Sequence, residues 1–357
     1  MVGGSKWQSY FSAMTPLIID CDTGIDDALA LLYACASPEA EIVGASCVHG
    51  NAGARQVAEN TRAVLELAGR PDVEVALGRE TPLMRPLAVA PDTHGPTGLG
   101  YATLPPASRP LSDRPGPDLI VEEVTRRPGE IVLVTLGPLT NLAVALLQEP
   151  ALPRLLRRWV LMGGAYRSRG NTAPTTEWNI QCDPEAAKMA IDAFGRSATK
   201  HGTPRPLALG LDVTERAKLT PDHMSELARR AGSRPDAFRD EAEGSVASNP
   251  IVRFMADALR FYMEFHSRHD GFYGAFIHDP LAVAAALDPT LVRTEAVTVD
   301  IELAGALTAG ETVTDWRRVW GRGPNLDVGV DIDAERFLAT FVDRVGGLAA
   351  NLAGVAR

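Results

Sequence analysis

Positive charge, cysteine and long apolar runs are all scarce in this chain of 357 residues. The formal net charge of −10 gives no general attraction for phosphate backbones or anionic lipids, which disfavours a nucleic-acid partner. No apolar run is long enough to span a membrane, and the first residues lack the continuous apolar stretch of a secretion signal. We therefore expect a cytoplasmic protein that acts without a membrane or a nucleic acid.

The few cysteines disfavour a disulfide framework or a zinc site. Four are present, none in a CxxC pair, and we expect them to be reduced and mostly structural: Cys21, Cys35, Cys47 and Cys182. The rest of the composition is ordinary for a globular protein, with 45% hydrophobic and 22% charged residues. Extensive disorder is therefore not expected.

Apolar strand-like runs alternate with helical patterns along most of the chain. Strands are predicted at residues 16–20, 41–50, 73–77, 131–137, 159–164 and 207–214. Helices are predicted at residues 26–37, 52–68, 118–127 and 249–268, and from Thr140, Asp183, Thr220 and Pro280. The alternation predicts an α/β fold, with a mostly parallel, Rossmann-like central sheet and helices on both faces of a single large domain. Such sheets bind ligands at the carboxyl ends of their strands.

The boundaries of this domain follow from composition. Residues 14–350 are expected to form the domain, and residues 1–13 an N-terminal extension. Two segments rich in polar residues, glycine and proline are expected to be surface loops inserted into the core: 195–206 and 231–245. The Gly346-Gly347 pair is a candidate break in the last predicted helix.

The stretch DCDTGIDDALA crowds four aspartates into eight positions, between the first strand and the next helix: Asp20, Asp22, Asp26 and Asp27. One carboxylate is enough to cap a helix. Four together repel one another unless a cation neutralises them, and oxygen ligands suit Ca²⁺ or Mg²⁺. We therefore favour a metal site over capping alone, and both interpretations remain open on spacing.

Other polar segments are expected in the same region if the sheet is parallel, and the first three of them follow predicted strands. They are HGN (49–51), TLGPLTN (135–141), MGG (162–164), the loop from Asn171 to Asn179 that ends in EWN, and FIHDP (276–280). Each segment alone is a weak indication, because a single histidine or asparagine in a loop is more often structural. Together they predict one polar site that gathers residues from both halves of the chain.

These motifs resemble the inosine-uridine preferring nucleoside hydrolase family over roughly residues 14–345. DCDTGIDDALA is similar to the family signature DxDxGxDDAxA, and the other motifs follow in the family's order: VHGN, HGPTGLG, TLGPLTN, LMGGAY, EWNIQCDPEAA and HDPLAVA. The resemblance implies the nucleoside hydrolase fold and Ca²⁺-dependent hydrolysis of the N-glycosidic bond of ribonucleosides, giving free base and ribose for salvage. It also implies a homodimer or homotetramer.

The resemblance further implies roles for particular residues. A catalytic Ca²⁺ would be held by Asp22, Asp27, Asp279 and the main-chain carbonyl of Leu136. Asp22 would accept a proton from the attacking water, and His278 would protonate the leaving base. Contacts with the substrate would come from Asp26, Asn51, His94, Met162, Asn171, Glu177, Trp178, Asn179, Tyr262 and His266. Relatives usually carry an aromatic residue where His266 stands, so this histidine is expected to affect base preference.

Two other classes of protein remain as alternatives. The opening strand with DCDTG also resembles a haloacid dehalogenase-type phosphatase, whose mechanism needs a later lysine. The chain has only four lysines, none of which clearly ends a predicted strand. A nonenzymatic nucleoside-binding protein would keep the pocket, but binding alone would not require both Asp22 and His278. An assay for released ribose separates the three classes, because a phosphatase releases phosphate and a receptor releases nothing.

Overall fold

The computed structural model describes residues 14–234 and 247–355. The predicted N-terminal extension and most of the predicted insertion at 231–245 lie outside the described residues. The strands are β1 (Thr15–Cys21), β2 (Ala40–Cys47), β3 (Val75–Leu77), β4 (Val132–Thr135), β5 (Arg158–Met162), β6 (Leu207–Leu209), β7 (Lys218–Leu219), β8 (Ala275–Phe276), β9 (Val292–Ile301), β10 (Thr312–Asp315) and β11 (Leu326–Ile332).

The helices between and after these strands surround the sheet. They are α1 (Ile25–Ala36), α2 (Ala54–Leu67), α3 (Pro91–His94), α4 (Gly116–Arg126), α5 (Thr140–Gln148), α6 (Leu152–Leu155), α7 (Trp178–Cys182), α8 (Pro184–His201), α9 (Leu211–Thr214), α10 (Pro221–Arg230), α11 (Pro250–His269), α12 (His278–Leu287) and α13 (Ala334–Val355). Among the described residues, no helix is both long and apolar enough to cross a bilayer.

The main sheet has the strand order β10-β9-β11-β6-β5-β4-β1-β2-β3. Strands β1 to β6 in this sheet pair in parallel, and β11 joins β6 in parallel as well. The prediction of a mostly parallel sheet is therefore confirmed. The edge formed by β9, β10 and β11 was not predicted, and there β9 runs antiparallel to both of its neighbours.

Helices cover both faces of the sheet, as predicted. The apolar side chains of β1 point to both faces, and helices on each side bury them. Leu17 and Ile19 belong to one hydrophobic cluster, which also contains residues of α1, α12 and α13. Ile18, which points to the opposite face, belongs to a second cluster with residues of α4, α5 and α8. A strand that is buried on both faces has a continuous apolar run instead of an alternating one.

Three local predictions were wrong. The 195–206 segment was expected to be a loop, but α8 continues to His201 and the chain leaves it at Gly202, which has a φ of 69°. The 207–214 segment was expected to be one strand, but β6 ends at Leu209 and α9 follows. The amide of Leu211 donates to the Gly164 carbonyl (2.9 Å) instead of continuing the strand.

The third wrong prediction concerns the glycine pair in the last helix. Helix α13 runs through Gly346 and Gly347 without a break. A Cβ on Gly346 would lie only 2.9 Å from the Cβ of Arg230, so the glycine lets α10 approach α13 closely. Close packing of a neighbouring helix therefore explains Gly346 better than a break in the helix does.

Candidate active site

The acidic cluster lies at the carboxyl ends of the central strands. β1 leads into Asp22, β2 leads towards Asn51, and β4 leads into Leu136. α12 starts at His278, so its first turn carries Asp279 into the same place from the other end of the chain. Oxygen atoms of Asp26, Asp27 and Asp279 lie within 4.8 Å of one another, and all three residues are buried. The structure thus brings together carboxylates that are about 250 residues apart in sequence.

Asp22 is fully buried beside this group of three carboxylates. Its Oδ2 accepts a hydrogen bond from the amide of Asn51 (2.8 Å), while its Oδ1 has no partner among the described residues. A Cβ on Gly137 would lie 2.8 Å from that Oδ1. The backbone therefore encloses the Asp22 carboxylate. Its Oδ1 is left free to bind a ligand that is not part of the protein.

Asp27 has two structural functions at once. Its Oδ2 accepts hydrogen bonds from the amide of Gly24 (2.9 Å) and from Nδ2 of Asn51 (3.1 Å). Asp27 therefore caps α1, as the first of the two interpretations of the aspartates proposed. Capping does not explain the free Oδ1 of Asp22 or the proximity of Asp279, so the capping interpretation covers only part of the cluster.

Burial and mutual repulsion act in the same direction on these carboxyls. Burial, and then the charge of Asp27, raises the pKa of Asp22 and of Asp26. Burial, and then the charges of Asp26 and Asp27, raises the pKa of Asp279. Charged carboxylates in this position need compensation by protons or by a cation. An all-oxygen donor set with a free buried oxygen fits a hard divalent cation.

Asp20 lies on the other side of β1 from this group. Its Oδ1 accepts a hydrogen bond from Nδ2 of Asn141 (2.8 Å), which also donates to Oγ of Ser46 (2.9 Å). Burial raises the pKa of Asp20 to about 7, against the opposing effect of these hydrogen bonds. The Asp20 side chain therefore ties the start of α5 to β1, consistent with a residue that orients its neighbours.

A cavity of about 480 Å³ opens above the acidic cluster. Every residue predicted to contact substrate lines it: Asp26, Asn51, His94, Met162, Asn171, Glu177, Trp178, Asn179, Tyr262 and His266. Leu136, His278 and Asp279 line it as well, whereas Asp22 and Asp27 do not and belong to the layer beneath. One cavity therefore contacts residues from most of the predicted motifs.

The lining of this cavity is acidic. Its described residues include no lysine and no arginine, but six of them carry carboxyl groups: Asp26, Asp92, Glu177, Glu215, Asp270 and Asp279. A phosphate group would find no cationic side chain there. The lysine that a phosphatase of the alternative class needs is likewise absent from the described lining.

One wall of the cavity is fixed by hydrogen bonds between its own residues. Nδ2 of Asn179 donates to the Leu136 carbonyl (2.6 Å) and to the Met162 carbonyl (3.3 Å). Glu177 caps α7, because its two oxygens accept from the amides of Asn179 and Ile180 (2.9 and 3.1 Å). The predicted ribose contacts are therefore already oriented, and the capping role of Glu177 was not predicted.

The loop residue Asn171 completes this wall. Its Oδ1 accepts a hydrogen bond from the amide of Trp178 (3.0 Å), which ties the loop to the start of α7. The indole Nε1 of Trp178 is buried and has no hydrogen-bond partner within residues 14–234 and 247–355. Two predicted contacts with substrate thus hold each other in position at the cavity wall.

Histidines and aromatic rings form the opposite wall. Nδ1 of His94 accepts a hydrogen bond from the amide of Ile25 (3.1 Å), and burial, then His266, lowers the pKa of His94 to about 3. The His94 ring lies 5.4 Å from the ring of Tyr262, and Tyr262 lies 4.5 Å from His266. At neutral pH, His94 is therefore an uncharged ring whose proton is on Nε2.

The other two histidines of this wall are also anchored. Nδ1 of His278 lies 2.7 Å from Oγ1 of Thr214, and burial, then His266 and His94, lowers the pKa of His278 to about 3. Nδ1 of His266 lies 2.7 Å from Oδ2 of Asp270, while its Nε2 has no partner in the part of the chain that the structure describes. Burial lowers the pKa of His266, although Asp270 opposes the effect.

Several residues of this wall were not predicted. They are Glu215, Phe265, His269, Asp270 and Phe276. Two of them had a signal in the sequence, because Glu215 follows the β6 region at the carboxyl edge of the sheet and Asp270 stands four residues after His266. The others lie on an otherwise amphipathic helix or beside the HD motif, where aromatic residues usually indicate a core.

The fold is that of hydrolases that act on N-glycosyl compounds. The family model "Inosine-uridine preferring nucleoside hydrolase" matches residues 17–339. The chain belongs to this family. The resemblance in the motifs and the fold class that it implied are therefore confirmed.

Similar proteins support this assignment over almost the whole chain. An inosine-uridine preferring nucleoside hydrolase of Leishmania major is 36% identical over 329 residues, 92% of this chain and 96% of that protein. The pyrimidine-specific ribonucleoside hydrolase RihA of Salmonella gallinarum is 36% identical over 331 residues, covering 92% of this chain and 98% of that protein. A solved purine-preferring ribonucleoside hydrolase of Gardnerella vaginalis has a TM-score of 0.83 and 33% identity, covering 94% of this chain and 100% of that one. The three names carry three different base preferences at similar identity.

Proposed function

We propose that this protein hydrolyses the N-glycosidic bond of ribonucleosides with the help of Ca²⁺, releasing free base and ribose for salvage. The observation that supports this most is the meeting of Asp22, Asp26, Asp27 and Asp279 beneath a cavity walled by amides and neutral histidines. The acidic lining favours a nucleoside over a nucleotide, because a 5′-phosphate would be repelled there.

Asp22, Asp27, Asp279 and the Leu136 carbonyl would hold the cation, with Asp26 alongside. Ca²⁺ accepts six to eight oxygen ligands in flexible geometry, which suits carboxylates from separate elements. When bound, the ion supplies positive charge that neutralises the cluster and polarises water or sugar hydroxyls. Leu136 already accepts a hydrogen bond from Asn179, so its carbonyl links this group to the ribose wall.

The ribose would be held by Asp26, Asn51, Asn171, Glu177 and Asn179, with Met162 against its apolar edge. Hydrogen bonds within the protein fix several of these side chains before substrate binds, which lowers the entropic cost of aligning the sugar. As the C1′–N bond breaks, positive charge develops on the ribose. The surrounding carboxylates stabilise that charge more than they stabilise the neutral substrate.

Asp22 would be the general base. Its Oδ2 is occupied by the Asn51 amide, so its free Oδ1 is the atom that takes a proton from the water attacking C1′. We expect Asp22→Asn to abolish turnover and to weaken cation binding, since both functions need the charged carboxylate. Full activity in that variant, measured as ribose release, would refute the assignment.

The leaving base would contact His94, Trp178, Tyr262, His266 and His278. All five residues line the cavity, and the Thr214 hydroxyl anchors His278 through Nδ1, so that its Nε2 is the nitrogen left for the base. In this proposal His278 assists departure of the base by a hydrogen bond from Nε2, because burial lowers its pKa to about 3 and keeps the ring neutral at pH 7. A cytoplasmic location and a homodimer or homotetramer belong to the same proposal, and size-exclusion chromatography with light scattering tests the second.

The decisive experiment is an assay for released ribose with inosine, uridine, adenosine, guanosine and cytidine, each with and without a chelator. We expect ribose from at least one nucleoside, loss of activity with the chelator, and recovery when Ca²⁺ is added in excess. Release of phosphate from a phosphate ester without ribose from any nucleoside would favour the phosphatase class. Binding of a nucleoside without any product would indicate a receptor.

A further inference from the structure

Glu215 is a carboxyl group in the lining of the cavity that the proposed mechanism does not use. It directly follows Thr214, whose hydroxyl lies 2.7 Å from Nδ1 of His278. Further along, the Ala217 carbonyl accepts a hydrogen bond from the amide of Ile277 (3.1 Å), and β7 pairs with β8. These contacts place Glu215 on the same wall as Phe276 and His278.

The carboxyl of Glu215 is available for a ligand. No hydrogen bond or ion pair engages its side chain among the residues that the structure describes. The other acidic residues near it are occupied: Asp270 pairs with His266, and the oxygens of Asp212 accept from the amides of Tyr166 and Arg167 (2.8 and 2.6 Å). Glu215 is thus a partly buried polar group that faces the cavity without a partner.

The surroundings of Glu215 favour its protonated form. Burial, and then the charges of Asp270 and Asp212, raises the pKa of Glu215 to about 7, while Lys218 opposes the shift. His266, His269 and His278 line the same cavity. Asp270 accepts a hydrogen bond from His266, which fixes the position of this neighbouring carboxyl group. A carboxyl group in this state can give up a proton near neutral pH.

We propose that Glu215 donates a proton to the leaving nucleobase. This inference rests on the ribonucleoside hydrolysis proposed above and adds a second group at the base end, beside His278. An unpartnered carboxyl at the wall where the base must leave is in the position that a general acid requires. Glu215 is therefore a catalytic residue for bases that leave poorly as anions.

The step balances in atoms and charge. The C1′–N bond breaks and its electron pair stays on the base, which takes the carboxyl proton of Glu215 and leaves neutral. Water adds to C1′ and gives its proton to the carboxylate of Asp22. Exchange with solvent then returns a proton to Glu215 and removes one from Asp22, so that nucleoside and water become base and ribose.

The test compares a nucleoside with p-nitrophenyl riboside, whose leaving group needs no proton. For wild type, we expect the ratio of kcat/KM for uridine or inosine to kcat/KM for p-nitrophenyl riboside to fall as pH rises through about 7. Glu215→Gln should lower this ratio about 100-fold at neutral pH and remove its dependence on pH in that range. Glu335→Gln, at an exposed position of α13, is the matched control and should change neither.

Asp270→Asn is a second variant that does not depend on the stability of Glu215→Gln. Removing the charge of Asp270 lowers the pKa of Glu215, so the fall in the ratio should move to lower pH. A ratio that changes less than about threefold in Glu215→Gln overturns the inference, and so does an unmoved pH profile in Asp270→Asn. Both results leave the proposed function intact if wild type releases ribose. Absence of ribose from every substrate with wild type instead overturns the proposed function itself.

Discussion

Gly50 and Asp22 are so close that a side chain at position 50 would overlap Oδ2 of Asp22. The same carboxylate is bounded by Gly137, where a Cβ would lie 2.8 Å from Oδ1. Two glycines therefore form a backbone enclosure around one carboxylate, and the enclosure sets the direction in which its free oxygen points. Asp22 can take this position only because neither residue 50 nor residue 137 has a Cβ atom.

Gly50→Ala should disable the site while preserving the fold. The added methyl displaces Asp22 by a distance comparable to 1 Å, and a misplacement of that size can cost about 100-fold in rate. We expect kcat/KM for ribose release to fall by about that factor and cation affinity to fall as well. Gly53→Ala is the matched control, because nothing lies within 4 Å of a Cβ there. Equal activity of the two variants would contradict the enclosure.

Cation binding should stabilise the protein more at pH 8 than at pH 5. Burial raises the pKa of Asp22, Asp26 and Asp279, so the folded metal-free protein binds protons that the unfolded chain has released. The stability that these three protonated carboxyls contribute is fully present below the ordinary carboxyl pKa, and it is lost as pH rises through their raised pKa values. Ca²⁺ offsets this loss, with about 2.7 kcal/mol expected at 100 times its Kd.

Thermal unfolding monitored by circular dichroism, with Ca²⁺ and with a chelator, measures this effect. The difference in Tm between the two conditions should be larger at pH 8. A difference that is equal at both pH values, or larger at pH 5, would show that the carboxylates do not take up the ion in place of protons.

His278→Ala should slow nucleosides more than p-nitrophenyl riboside, because the latter leaves without a proton. Thr214→Val, which removes the hydroxyl that anchors Nδ1 of His278, should give a smaller loss of the same kind. General acid assistance is typically worth 10²–10⁴-fold in rate, so the loss with nucleosides should reach about 100-fold. Steady-state kinetics on both substrates provide the measurement, and equal losses on both would remove His278 from this role.

The glycine pair in α13 allows a paired test of packing. Gly347→Ala should raise the free energy of unfolding by about 1 kcal/mol, since a Cβ there meets nothing within 4 Å and alanine favours a helix. Gly346→Ala gains the same helix propensity but places its Cβ 2.9 Å from the Cβ of Arg230, an overlap that typically costs about 1–3 kcal/mol. Urea denaturation in saturating Ca²⁺ should order the proteins as Gly347→Ala, wild type, Gly346→Ala.

The sequence was sufficient to predict the sheet and the meeting of distant motifs. Helical and strand periods alternate clearly in the first 200 residues, and parallel strands must end at one edge, so the motifs that follow these strands could be placed together. The pairing of Asp279 with Asp27 came from the family resemblance, because β8 lies outside the main sheet and pairs antiparallel with β7. The antiparallel edge was missed because β9 and β10 alternate polar and apolar residues weakly and no helix separates them.

The features that could not be predicted from the sequence depend on tertiary packing. The polar composition of 195–201 suggested a loop, yet Gly195 lies against Asn325 and Ser197 is buried, so contacts with distant residues keep the segment helical. The sequence signals of Glu215 and Asp270 are weak, because the position of both residues at the cavity depends on how α9 and α11 end. Which nucleobase fits best depends on the same loop geometry.

Asp27 belongs both to the first turn of α1 and to the group of carboxylates that faces Asp279. The amides of Asp22 and Gly24 donate hydrogen bonds to Asp27, so these bonds should change when a cation binds, even without substrate. The rates at which these two amides exchange with deuterium should therefore report whether the cation is bound. The first turn of α1 would thus report the occupancy of the cation site beside it.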